Sequence, residues 1–206
     1  MKMRILFALT AALIMTSCVS TMNYTWQKEG FEGKNFKKIL VVATSKNLES
    51  RTTLENTVVG WLAKEGINAE NSLSLFPPFV DIKELDEKTI ESKIKAGGYD
   101  AVLVSSLIDV NEQDVYEQGS NYYPMHYGYR RYIYNGYGYA YSPGYYRQQK
   151  TYVVESRLFD TAKENAKEAI VWSGQSSLTD PSSYESGAKQ YASTLVKTLL
   201  KSNTIK

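Results

Sequence analysis

The sole cysteine of this chain, Cys18, closes an N-terminal segment that carries Lys2 and Arg4 and then an apolar run from Ile5 to Met15. That run is too short to cross a hydrocarbon core of about 30 Å. Thr16-Ser17 supplies the small residues of a cleavage site, so residues 1–17 read as a secretory signal peptide. An exported chain with a single thiol has no internal disulfide to staple it. It must fold by burying apolar surface, and about 190 residues after cleavage are ample for one domain.

Met15-Thr16-Ser17-Cys18 resembles the lipobox of bacterial lipoproteins, whose usual form is Leu, a small residue, then Gly, Ala or Ser, and Cys; Met15 departs from the first position. The resemblance implies that Cys18 carries a diacylglycerol on sulfur and a third acyl chain on its freed amine. Each buried methylene contributes about 0.8 kcal/mol, and two chains already give stable anchoring. The membrane is then the first expected partner. The alternative is ordinary secretion with Cys18 as a leftover thiol. Val19-Ser20 lacks the Asp that resembles an inner-membrane retention signal, so the expected place is the outer membrane of a Gram-negative envelope, on its periplasmic or surface face.

The chain has 24 basic and 22 acidic side chains, and loss of Lys2 and Arg4 with the signal leaves 22 against 22. No basic excess remains to hold a phosphate backbone, so a nucleic-acid partner is not expected.

Residues 18–35 show no sustained period and read as a lipid-anchored tether, with Trp26 and Phe31 packing part of it back. Lys38-Ile-Leu-Val-Val-Ala-Thr44 predicts a strand covered on both faces. Leu54, Val58, Trp61 and Leu62 recur at helical spacing before Gly66. A second strand is predicted from Ile67 to Leu75, ended by Pro77-Pro78, and a second helix from Asp86 to Gly97-Gly98. Tyr99 to Ile108 reads as a buried strand extended by the more polar 109–116. Thr151 to Phe159 and Glu168 to Leu178 read as a hairpin joined by a polar turn. Asp180-Pro181 predicts the start of a closing helix whose buried stripe holds Tyr184, Ala188, Ala192, Leu195, Val196 and Leu199. The order β-α-β-α-β-β-β-α predicts an α+β domain over residues 36–206, a mixed sheet with helices packed on it and a Tyr/Gly-rich hairpin extension inserted at 117–149.

Tyr99-Asp-Ala-Val-Leu-Val, Leu158-Phe-Asp, Ile170-Val-Trp-Ser-Gly and Asp180-Pro-Ser together resemble bacterial envelope lipoproteins grouped as domains of unknown function. A "Leu-Phe-Asp … Val-Trp-Gly" hairpin is typical of those proteins. More distantly, the element order is similar to the amino-terminal domain of the Tol-system β-propeller protein and to the periplasmic domain of the curli-secretion lipoprotein. The resemblance covers about residues 36–200, apart from the tyrosine-rich insertion. It implies an envelope lipoprotein with a fold used for docking, and it carries no chemistry.

Twelve of the 17 tyrosines fall between Tyr116 and Tyr146, and no acidic residue occurs from Gln118 to Lys150. Loops of this length are functional or disordered. Asn135-Gly136 predicts a type I′ turn. The two-residue alternation of such a hairpin puts Tyr134 opposite Tyr137, Tyr132 opposite Tyr139 and Arg130 opposite Tyr141 on one face. Tyr129, Arg130, Arg131, Tyr132, Tyr134, Tyr137, Tyr139 and Tyr141 are therefore the candidate binding residues. Such a face suits a partner protein or self-association, a glycan, or a lipid headgroup. A Tyr/Gly tract that packs on itself and has no ligand is the competing reading.

Conventional chemistry finds little footing. His126 is the sole histidine and lies in the glycine-rich insertion, so neither a two-histidine metal site nor a Ser-His-Asp arrangement on a rigid frame is predicted. Asp109, Glu112 and Asp114 lack the spacing of a calcium loop, and Glu155 and Asp160 fit a strand's polar side and end. Trp61 and Trp172 read as core. No cofactor and no catalytic residue are expected, so the expected function is a non-enzymatic binding or scaffolding module acting through the tyrosine-rich loop. A subunit of an outer-membrane secretion or transport assembly is the alternative, and a wall hydrolase using Asp or Glu is a third reading.

Overall fold

The computed structural model describes residues 20–78, 80, 85–118, 130, 144–163 and 166–206. They form an α+β domain with one mixed six-stranded sheet. The strands are β1 (Thr21–Gln27), β2 (Ile39–Ala43), β3 (Ala69–Asn71), β4 (Ala101–Glu117), β5 (Tyr145–Asp160) and β6 (Ile170–Thr179). The helices are α1 (Leu48–Lys64), α2 (Glu87–Ala96), the short α3 (Ala166–Ala169) and α4 (Tyr184–Lys201). Across the sheet the order is β1-β6-β5-β4-β2-β3; β2 is parallel to β3 and β4, and the other neighbours are antiparallel.

β2 and the first half of β4 read as unbroken apolar runs because both faces are covered. On one face Ile39, Val41, Ala101 and Leu103 pack with Val58 and Leu62 of α1 and Leu195, Val196 and Leu199 of α4. On the other, Leu40 and Val102 pack with Phe76, Tyr99 and the α2 residues Ile90 and Ile94. Trp172 of β6 is fully buried in the larger cluster, whereas Trp61 is only partly buried against it, with the Lys64 and Lys197 ammonium groups over its ring. Asn47 caps α1 by accepting from the Ser50 N–H at 2.8 Å, and Asp86 caps α2 from Thr89 at 2.6 Å.

Glu55 is fully buried, one helical turn after Arg51. Its carboxylate accepts from the backbone N–H groups of Ala43 and Ser72, both at 2.9 Å, from the Ser72 hydroxyl at 2.6 Å, and from Arg51 Nε at 3.2 Å. Arg51 in turn donates to the Phe76 carbonyl at 3.0 Å. This polar knot ties α1 to the end of β2 and to the turn after β3.

Several expectations change, among them the burial of Trp26 and Tyr184, each of which is about half exposed. Residues 18–35 are not a tether throughout, because Thr21–Gln27 is an edge strand whose Gln27 lies opposite Trp172. Most of its side chains are exposed, so it leaves no apolar period, yet its backbone satisfies the open edge of β6. The strand expected from Ile67 to Leu75 is three residues long. Asn71 turns it into a 3₁₀ turn by accepting from the Leu73 N–H at 3.2 Å. The inserted segment is shorter than 117–149, since β4 runs to Glu117 and β5 starts at Tyr145. Finally, Asp180 does not cap the closing helix; Ser183 does, accepting from the Ser186 N–H at 3.1 Å.

Candidate functional site

β6 ends at Thr179, opposite Thr151 of β5, which itself lies opposite Asn111 of β4. Past that line β4 and β5 continue alone as a two-stranded ribbon to the pair Glu117 and Tyr145. Isolated two-stranded ribbons are marginal in water, and this one is braced at its base. Asp180 adopts φ of 43°, a left-handed conformation that Asp tolerates. Its carboxylate thereby accepts from the Lys150 N–H at 2.7 Å and from the Arg147 guanidinium, while its own N–H donates to the Lys150 carbonyl at 2.8 Å. Arg147 Nε reaches Glu117 at 3.2 Å, and Lys150 Nζ pairs with Glu112 at 2.7 Å.

The charges follow this geometry. The Lys150 N–H, and after it Arg147, hold the Asp180 carboxyl below its ordinary range. Asp180 and then Glu117 push the Arg147 guanidinium up, and Glu112 raises the Lys150 ammonium. Arg147 is thus shared by two carboxylates, Asp180 at the ribbon's base and Glu117 at its end, while Lys150 serves Glu112.

At the ribbon's end the rings of Tyr116 and Tyr146 meet at 5.2 Å between centroids, tilted by 55°. Tyr116 lies over Gly144, where a Cβ would run into the phenol. Tyr116, Tyr145 and Tyr146 are 54, 61 and 73% exposed, and Leu107, Ile108 and Val110 lower on β4 are also exposed.

A second feature lies beside the ribbon's base. A cleft of about 530 Å³ opens between the N-terminal ends of α1 and α4, walled by Leu54, Leu107, Val154, Leu178 and Tyr184. Buried hydroxyls form its floor. Tyr191 donates to the Ser105 hydroxyl at 2.6 Å and shares a hydrogen bond with the Ser156 hydroxyl; burial pushes its phenol up to about 12. Across the mouth Tyr184 donates to the Ser50 carbonyl at 2.8 Å, and its own pKa is raised by burial.

No protein-family model matches this chain, and neither does any curated protein. Solved structures similar to it include the PelC dodecamer from Paraburkholderia phytofirmans, with 12% identity over 91% of this chain and 99% of that one and a TM-score of 0.44. Lipoprotein GNA1162 from Neisseria meningitidis shows 16% identity over 80% of this chain and 96% of its own, TM-score 0.42. A DUF4136 family protein from Bacteroides thetaiotaomicron shows 10% identity over 88% and 96%, TM-score 0.40. None of the three is the Tol-system or curli-secretion protein.

Of the residues singled out by sequence, Cys18, Tyr129, Arg131, Tyr132, Tyr134, Tyr137, Tyr139 and Tyr141 lie outside the described residues, as does His126. Arg130 is described alone, exposed and with helical backbone, in place of the strand expected there. Asp109, Glu112 and Asp114 are exposed, and among the described residues no three His, Cys, Asp or Glu side chains gather as a metal site. No helix among the described residues is long and apolar enough to cross a membrane. Sequence reading missed Arg147, Asp180 and Tyr191. The Asp180-Pro181 step flagged the right place but suggested a helix cap.

Proposed function

We propose that this chain is a lipid-anchored protein of the cell envelope, attached through Cys18 to the outer membrane, which binds or scaffolds through the tyrosine-rich projection and carries out no catalysis. One observation carries the reading. The β4–β5 ribbon continues past every other strand of the sheet and ends in exposed tyrosines held by a braced base. A ribbon with no partner would expose aromatic area at a cost, whereas Tyr supplies rigid amphipathic contact area for a partner.

The test compares the full chain with a variant in which 116–146 is replaced by an Asn-Gly turn between the paired Val115 and Arg147, each purified from detergent-solubilised envelopes. The expected result is an unchanged circular dichroism spectrum together with loss of a co-purifying partner or of binding to purified peptidoglycan or outer-membrane lipid. Identical captured material from both proteins would reject the projection as the site. A large homo-oligomer in the intact protein that is lost in the variant would favour the secretion-assembly reading instead.

A further inference from the structure

The direction of β1 fixes where an N-terminal anchor would leave the domain. Ser20 is buried, and its carbonyl accepts from the Thr194 hydroxyl at 3.0 Å. Thr21 then enters the sheet opposite Ser177, close to the end of β6 at Thr179. β1 is antiparallel to β6, β6 to β5 and β5 to β4, so the start of β1 lies at the end of the sheet from which the β4–β5 ribbon projects.

The lengths are unequal. Only Val19 separates Cys18 from Ser20, and those two chain steps reach at most about 7 Å. From Asn111 to Glu117 the ribbon extends six residues beyond the sheet, about 20 Å at about 3.3 Å each. A bilayer held by acyl chains on Cys18 would therefore meet the ribbon's end before it met the body of the domain.

The chemistry of that end agrees with such a surface. Tyr116, Tyr145 and Tyr146 are amphipathic rings of the kind favoured at the headgroup level. The sequence from Gln118 to Lys150 holds Arg130, Arg131, Arg147 and Lys150 and no acidic residue. On the ribbon itself Glu112 pairs with Lys150, Glu117 shares Arg147 with Asp180, and Asp114 is exposed.

We propose that the end of the β4–β5 ribbon, at Tyr116, Tyr145 and Tyr146, is a second membrane contact that lies in the headgroup region of the same bilayer that holds Cys18. This deepens the function proposed above and rests on its lipid anchor. The ligand of the projection is then a phospholipid surface, and two contacts orient the domain with the start of β2 pointing away from the membrane.

Because Cys18 is the sole cysteine, an acylated chain has no free thiol, and Tyr146→Cys introduces a single one. The full chain with this substitution is purified from envelopes, labelled with a nitroxide and reconstituted in phosphatidylethanolamine and phosphatidylglycerol vesicles. Lys37→Cys, exposed before β2 at the far end of the sheet, gives the reference. One label per chain is expected, with accessibility to oxygen at position 146 several-fold above that to a polar nickel complex, and the reverse ratio at position 37. One label per chain with position 146 as water-accessible as position 37 would overturn the membrane contact and leave the anchor standing. Two labels per chain would show that Cys18 is a free thiol, and would overturn the anchor and the geometry built on it. Tyr116→Ser with Tyr145→Ser, added to the labelled variant, is expected to move position 146 toward water; an unmoved label would remove these rings from the contact.

Discussion

The Arg147 guanidinium meets the Asp180 carboxylate where β6 ends and the β4–β5 ribbon goes on alone. A loop residue after one strand thus braces a projection made by two others. Arg147→Ala is expected to raise amide hydrogen exchange in 111–117 and 145–150 several-fold and to leave exchange in β2 and α4 unchanged. Equal acceleration in the core would mean that the pair supports the whole domain.

Asp180 also sets a pH dependence. Its folded-state pKa is lowered from 3.8, so its ionised form contributes stability that is complete above about pH 4 and is lost as pH falls through the folded value. Asp180→Asn keeps an acceptor for the Lys150 N–H and tolerates positive φ, but it cannot titrate. Ribbon exchange in the variant is expected to change less between pH 5 and pH 2 than in the native chain, measured relative to each protein's core amides.

Glu55 is expected to be the least replaceable polar side chain in the domain. Glu55→Ala leaves the Arg51 guanidinium and the Ala43 and Ser72 N–H groups buried around a void, and should cost about 3–5 kcal/mol in urea unfolding. A loss below about 1 kcal/mol would show that water replaces the carboxylate at no great cost.

Tyr191 should stay protonated well above the ordinary range of a phenol. Its ordinary pKa of 10.0 rises to about 12 on burial, so the protonated phenol contributes stability that is complete below about pH 10 and fades as pH rises toward 12. Tyr191→Phe removes the partner of Ser105 and Ser156 and is expected to cost about 1–3 kcal/mol at neutral pH while flattening the alkaline limb. Thermal melts of both proteins across pH 8–11 check the slope.

Gly174 makes room for a neighbour on its own strand. A Cβ there would lie 2.8 Å from Trp172 Cζ2 and 3.0 Å from Met22 Sδ, so Gly174→Ala must displace the buried indole or shift β1. A loss of about 1–3 kcal/mol, with a changed tryptophan emission, is the expected outcome. An unchanged melting temperature would mean that the β1 edge gives way without cost.

The apolar periods determined β2, α1, α2, the buried half of β4, the β5–β6 hairpin and α4, because each buries a face whose spacing repeats along the chain. The end of the Tyr99 to Tyr116 run was legible in composition as well, in the change from apolar to polar residues where β4 loses its cover. Tertiary structure alone decided β1, the role of Asp180 and the burial of Glu55. An edge strand with exposed side chains is specified by the hydrogen-bonding edge it covers, more than a hundred residues away, and not by its own pattern. Asp180 and Arg147 are adjacent only because β5 and β6 pair in one register. The same register puts the start of β1 and the projecting ribbon at one end of the sheet. That relation has no local signal, since it is set by the order in which strands pair.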